Sequence, residues 1–85
     1  MYEIIFSKPA TKFTKNLSHS YRNKIKKILE ILQENPFGYP YKKIKGEADI
    51  YRIRVGKYRI LYEINQDNNR IIILKIDKRS HVYDR

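Results

Sequence analysis

IYRIRVGKYRILYEI, residues 50–64, alternates in character on both sides of a Gly-Lys pair. Tyr51, Ile53 and Val55 fall on one side, Arg52 and Arg54 on the other. Beyond Gly56-Lys57, the residues Tyr58, Ile60, Tyr62 and Ile64 share a face, and Arg59, Leu61 and Glu63 share its reverse. A period of two marks strands with unlike faces. A two-residue loop that begins with glycine fits a type II′ turn, whose first position needs positive φ. Pairing about that turn sets Val55 against Tyr58, Ile53 against Ile60 and Arg54 against Arg59. Arg52 lies on the same face as Arg54, so three guanidiniums are expected on one patch of sheet. Like charges directly opposite one another are destabilising. A solvated face would let the arginines splay into water, with Glu63 as partial relief. On a chain of net charge +10, the crowding reads instead as a seat for an anion, and phosphate suits the guanidinium fork best.

Size and composition narrow the function classes. Eighty-five residues make one small domain, 1–85, with a thin core and a surface groove in preference to a deep enclosed site. The absence of cysteine removes disulfides and thiolate metal ligands and fits a cytoplasmic location. No apolar run reaches membrane-spanning length, and MYEIIF lacks the basic start and the length of a secretory signal. Nineteen Lys and Arg against nine Asp and Glu point to a polyanionic partner.

Outward from the hairpin, residues 2–6 read as a short strand. Pro9 opens a helix with the apolar stripe Ala10, Phe13 and Leu17. Ser18 or Ser20 caps a second helix, whose buried face is Tyr21, Ile25, Ile28, Leu29 and Leu32 and which Asn35-Pro36 ends. The short link predicts a helical hairpin. Lys24, Lys26 and Lys27 form a solvated helix face. Residues 36–49, rich in Pro and Gly, read as a loop, with Phe37, Tyr39 and Tyr41 covering an edge of the core. After a turn at residues 66–69, residues 70–76 form an interior strand with Ile71 and Ile73 on one face and Ile72, Leu74 and Ile76 on the other. The free edge of that strand is expected to take the N-terminal strand. The predicted architecture is α+β, in the order β-α-α-β-β-β, with the helix pair on one face of a four-stranded, mainly antiparallel sheet.

Three segments carry a resemblance. Lys43-Ile44-Lys45-Gly46 resembles a "K-x-L-x-G" lead-in, residues 51–62 resemble a "YRIRVGxYRIxY" hairpin, and Arg79-Ser80-His81-Val82-Tyr83 resembles an "R-x-x-V-Y" ending. Together, and in the same order of elements along nearly the whole chain, they resemble the RelE/ParE superfamily of type II toxin–antitoxin toxins. RelE-type members cleave mRNA in the ribosomal A site without metal or cofactor, by attack of the RNA 2′-hydroxyl on the adjacent phosphate. ParE-type members inhibit DNA gyrase. The resemblance implies a catalytic set of Arg52, Arg54, Arg59, Arg79, His81 and Tyr83, flanked by RNA-binding Lys43, Lys45, Lys57 and Lys78. Arg59 matches the arginine that stabilises the phosphate, and Tyr83 the tyrosine that stacks on or orients a base.

Two positions depart from the pattern. Arg54 stands where relatives carry a lysine assigned as general base, and an arginine side chain does not give up its proton near neutrality. It can still stabilise the phosphorane electrostatically. Asp77 stands where some relatives carry an acidic-catalyst arginine, and it reads here as a balance for nearby cations. His81 is then the candidate proton carrier near the patch, against an inert role as a surface histidine. His19 and His81 are far apart in sequence with no carboxylate cluster beside them, which argues against a metal site. The implied partners are a ribosome holding mRNA in its A site and a RelB-like antitoxin presenting an acidic segment, with no membrane. Gyrase inhibition and a degenerate, antitoxin-binding member are the competing readings.

Overall fold

Both helices begin at a serine. The structure, a computed structural model, describes residues 1–78. Strand β1 (Glu3–Phe6) runs into Ser7, whose hydroxyl accepts from the Ala10 amide at 3.2 Å and starts α1 (Lys8–Lys15). Pro9 lies in the first turn, where a missing N–H leaves nothing unsatisfied. Ser18 caps α2 (His19–Glu34) through the Tyr21 amide at 3.3 Å, and Asn35 ends it in extended backbone, as the following proline requires. The apolar stripe predicted for α2 is the one that faces inward: Ile25, Ile28, Leu29 and Leu32 are buried.

The remaining elements are β2 (Lys42–Lys43), β3 (Ile50–Val55), β4 (Tyr58–Asn65) and β5 (Arg70–Lys78). They join β1 in one sheet of order β1-β5-β4-β3-β2, with β1 parallel to β5 and every other pair antiparallel. One face of this sheet, carrying Ile53, Val55, Ile60, Tyr62, Ile64, Ile71, Ile73 and Ile76, packs with Ala10, Leu17 and the α2 stripe into the core. The fold is the α+β arrangement expected, and β1 does take the free edge of β5.

Two details differ from the expectation. The sheet has five strands among the described residues, because Lys42 and Lys43 pair with Arg52 and Tyr51 as a two-residue edge. A short lysine strand blunts a sheet edge against further pairing, and its Pro/Gly-rich flanks gave it the composition of a loop. The second difference is a β-bulge in β5. Leu61 pairs with Lys75 but Tyr62 pairs with Ile73, so Leu74 is an extra residue. An extra residue reverses the alternation beyond it. Ile76 therefore joins Ile71 and Ile73 in the core instead of sharing a face with Ile72 and Leu74.

The β3–β4 turn has the expected form. Gly56 holds φ +59 and Lys57 does not share the positive sign. Gly56 also lies under Tyr21: a Cβ there would sit 2.6 Å from the Tyr21 hydroxyl oxygen. Tyr58, one residue past the turn, meets Tyr21 and Phe13 edge-on with ring centroids 4.6 and 5.8 Å apart. These contacts lock the hairpin tip against both helices.

Candidate nucleic-acid interface

The arginine face is a consequence of register. Arg54 pairs with Arg59 and Arg52 with Leu61, while their neighbours Ile53, Val55 and Ile60 are core residues. All three arginines thus project from the sheet face opposite the helices. Two guanidiniums side by side need a counter-charge, and Asp77 supplies it. Asp77 is the β5 partner of Arg59. Arg59 Nε donates to Asp77 Oδ1 at 3.1 Å and Nη2 donates to Oδ2 at 2.8 Å. This two-pronged pair sits largely out of water, with Arg59 only 8% exposed, and is of the strong, geometrically specific kind. Among the described residues Asp77 relieves Arg59, while Glu63 pairs across the sheet with Ile50 and Ile72.

The bulge is what brings Asp77 there. Without the extra Leu74, Asp77 would share the inward parity of Ile73. With it, Lys75 and Asp77 turn to the arginine face, and Lys75 Nζ lies 3.6 Å from Asp77 Oδ2. The distortion is tied down from α1. The Ser7 amide donates to the Ile73 carbonyl at 3.0 Å, and the Ser7 hydroxyl donates to the Leu74 carbonyl at 2.7 Å. One side chain thus caps a helix and satisfies the bulge.

The lysines fall differently from the pattern expected. Lys43 and Lys78 are cross-strand partners of Tyr51 and Tyr58 and so lie on the helix side of the sheet. Lys57 occupies the turn with Nζ 5.8 Å from the Tyr58 ring centroid, and Lys45 lies in the loop after β2. On the arginine face itself are Lys42, opposite Arg52, and Lys75. The sequence signal for Lys75 was its shared parity with Ile71, Ile73 and Asp77, which cannot all lie on the core face. Arg79, His81 and Tyr83 lie outside the described residues.

A cleft of about 310 Å³ opens beside this face, between residues 39–42 and residues 52–54. Its cause is Pro40. Continuing the β2–β3 register places Pro40 opposite Arg54, and a proline has no N–H to give to the ladder. Pairing stops at Lys42, and the chain leaves the β3 edge. Phe37 and Tyr41 stay 37% and 43% exposed, so they cover the core edge only in part, whereas Tyr39 packs on it. Tyr41, Phe37 and Tyr51 contact one another with centroids 5.4–5.5 Å apart. Tyr51 in turn meets Tyr62, whose buried hydroxyl has no hydrogen-bond partner among the described residues. Burial, reinforced by the Tyr41 and Tyr51 phenols, pushes the Tyr62 hydroxyl up to about 12.

Among the described residues no three His, Asp or Glu side chains gather as a metal would need, and no helix is long and apolar enough to cross a membrane. Comparison with known proteins agrees with the fold. The family described as the ParE toxin of type II toxin–antitoxin systems matches residues 4–83. The chain belongs to the RelE/ParE superfamily of toxins. This RelE/ParE toxin is 34% identical over 85 residues to the putative toxin RelE1 of Methanocaldococcus jannaschii, covering 96% of this chain and 94% of the relative. It is similar to the isolated RelE toxin of E. coli, with a TM-score of 0.83, 27% identity, and coverage of 99% of this chain and 93% of that one. It is also similar to a chain of the RelB–RelE antitoxin–toxin complex of Methanococcus jannaschii, with a TM-score of 0.75, 37% identity, and coverage of 94% and 95%.

Proposed function

We propose that this toxin is a metal-independent, ribosome-dependent endoribonuclease acting on mRNA in the A site. The observation that carries the reading is the convergence of Arg52, Arg54 and Arg59 on the sheet face opposite α1 and α2, two of them in direct register. Guanidiniums fixed on strands are suited to a phosphate whose charge grows toward a phosphorane, because no reorganisation is needed as that charge develops. In the reaction, the 2′-oxygen forms a bond to phosphorus as the P–O5′ bond breaks, leaving a 2′,3′-cyclic phosphate and a 5′-hydroxyl. Arg52 and Arg54 hold the non-bridging oxygens. Arg59 is the third guanidinium of the face, held in orientation by Asp77, which offsets part of its charge. His81 takes the 2′-hydroxyl proton or gives one to the departing 5′-oxygen, with water carrying the other; Arg79 neutralises the leaving oxygen, and Tyr83 orients a base.

The ribosome supplies the remaining affinity through the net positive charge of the toxin, so binding weakens steeply with salt. A site of action on translating ribosomes places the protein in the cytoplasm as a single domain of residues 1–85. The relative seen with RelB supports an antitoxin partner here, whose acidic segment would neutralise the arginine face. Primer extension on translated mRNA tests the reading. Wild-type toxin should give discrete cleavage stops that Arg59→Ala and Tyr83→Phe suppress, and EDTA should not act on the chemistry. Growth arrest with intact mRNA and blocked gyrase supercoiling would instead favour the ParE-type activity that the matching family name carries.

A further inference from the structure

We propose that the cleft between residues 39–42 and the β3 edge is a subsite for one nucleobase flanking the phosphate held by the arginines. The inference rests on the RNA-cleavage reading for its ligand and goes beyond it in naming where a base is held. Four features point to this occupant. The cleft, about 310 Å³, is at the small end of ligand sites, the scale of a single flat ring system. Its lining includes Tyr39 and Tyr41 on one side and Arg52 and Arg54 on the other. Aromatic rings and guanidinium planes are the two surfaces on which unpaired bases stack.

The cleft also adjoins the arginine face, since Arg52 and Arg54 belong to both. Tyr41 meets Tyr51 on the helix side, so a nucleotide with its phosphate on the arginines would pass its base round the unpaired β3 edge into the cleft. The Tyr41 ring is held by a tilted contact to Phe37 and an edge contact to Tyr51, so little freedom remains to be lost when a base stacks on it. An added peptide strand suits the place less well. Its backbone would need the β3 edge at residues 53–55, and the loop around Pro40 forms the opposite wall.

The test titrates the full chain with adenosine 5′-monophosphate and, separately, with ribose 5-phosphate, following amide and tyrosine ring signals by NMR. Base stacking contributes ~1–3 kcal/mol, so the nucleotide should bind at least about fivefold more tightly than the sugar phosphate. Ring-current shifts should appear at Tyr41 and Ile53 with the nucleotide only. Tyr41→Leu should erase the difference while leaving ribose 5-phosphate binding unchanged, and Tyr41→Trp should keep it. Equal affinities, shifts confined to the arginines, or a preference that survives Tyr41→Leu would overturn the proposal. So would a cleft that responds to an antitoxin peptide and to no nucleotide. A base bound in the cleft while mRNA on programmed ribosomes stays intact would sink the nuclease reading alone. Cleavage without base binding would sink this subsite alone.

Discussion

Removing the carboxylate from Asp77 tests how the arginine face is held together. In Asp77→Asn the Arg59 guanidinium, whose side chain is 9% exposed, loses an ionic partner bonded through two nitrogens. Breaking a fully buried pair from one side costs about 3–5 kcal/mol. Asp77 is 21% exposed, so water recovers part of that, and about 2–3 kcal/mol is the expected loss. Lys75 adds almost nothing, because its side chain is 58% exposed. For a domain of this size each kcal/mol moves the midpoint by roughly 4–8 °C, which gives a fall in Tm of about 10–20 °C. Urea unfolding should show the same loss with an unchanged slope. Glu3→Gln provides the contrast. The Arg70–Glu3 pair is 3.5 Å apart with side chains 50% and 66% exposed, and its loss should change stability by less than about 0.5 kcal/mol. A double-mutant cycle of Arg59→Met with Asp77→Leu should give a coupling of at least about 1 kcal/mol. A loss for Asp77→Asn no larger than that for Glu3→Gln, or a coupling near zero, would refute the reasoning.

Three further outcomes follow from the same geometry. Gly56→Ala should destabilise by about 1–3 kcal/mol in urea unfolding, since alanine is strained at φ +59 and its Cβ would press on Tyr21. Ser7→Ala should cost about 1–2 kcal/mol, more than an ordinary cap deletion, because it also strips the Leu74 carbonyl of a donor; amide exchange should quicken at residues 74–77 as well as in α1. Tyr62 gives a pH signature. The folded phenol keeps its proton to about 12 and the unfolded one releases it near 10, so the unfolded chain deprotonates first. Stability intact below pH 10 should fall by up to about 2–3 kcal/mol as pH rises to 12. Tyr62→Phe should flatten this component at little cost below pH 10, because the hydroxyl it deletes is buried without a hydrogen bond among the described residues.

How far the sequence could be read depended on how strictly each segment alternates. The hairpin at residues 50–64 keeps polar and apolar residues in step, so its register, its turn and the shared face of Arg52, Arg54 and Arg59 could be read directly. Pro9 and Asn35-Pro36 mark helix ends through elementary steric rules, whereas the second cap was left between Ser18 and Ser20 until the Tyr21 amide contact chose Ser18. Residues 71–74 are four consecutive apolar residues, and any one of them could be the bulge as far as periodicity is concerned. The fixed points were Ile71 and Ile73 before the bulge and Lys75 and Asp77 after it, which cannot all share the core face. The expected strand ignored that conflict and set Ile76 on the face of Ile72 and Leu74; the register shows the phase change, and the contact with Ser7 shows why it falls at Leu74. With the phase of β5 unknown, Asp77 could be recognised as balancing nearby cations but not assigned to Arg59. Strand β2 was hidden for another reason: two lysines beside Pro40 have no strand propensity of their own and pair only because β3 presents an edge. The cleft depends on that same edge and on where Pro40 ends it.

The central claim is that the arginines of the β3–β4 hairpin hold a phosphate while an RNA linkage breaks. Its most direct test is the single-turnover rate of mRNA cleavage on programmed ribosomes by wild type and by Arg52→Gln/Arg54→Gln, with unfolding curves to show that the variant is intact. A fall of at least about a hundredfold at saturating toxin is expected, in line with the loss of fixed charge at a developing oxyanion. An intact double variant that cleaves at the wild-type rate would contradict it.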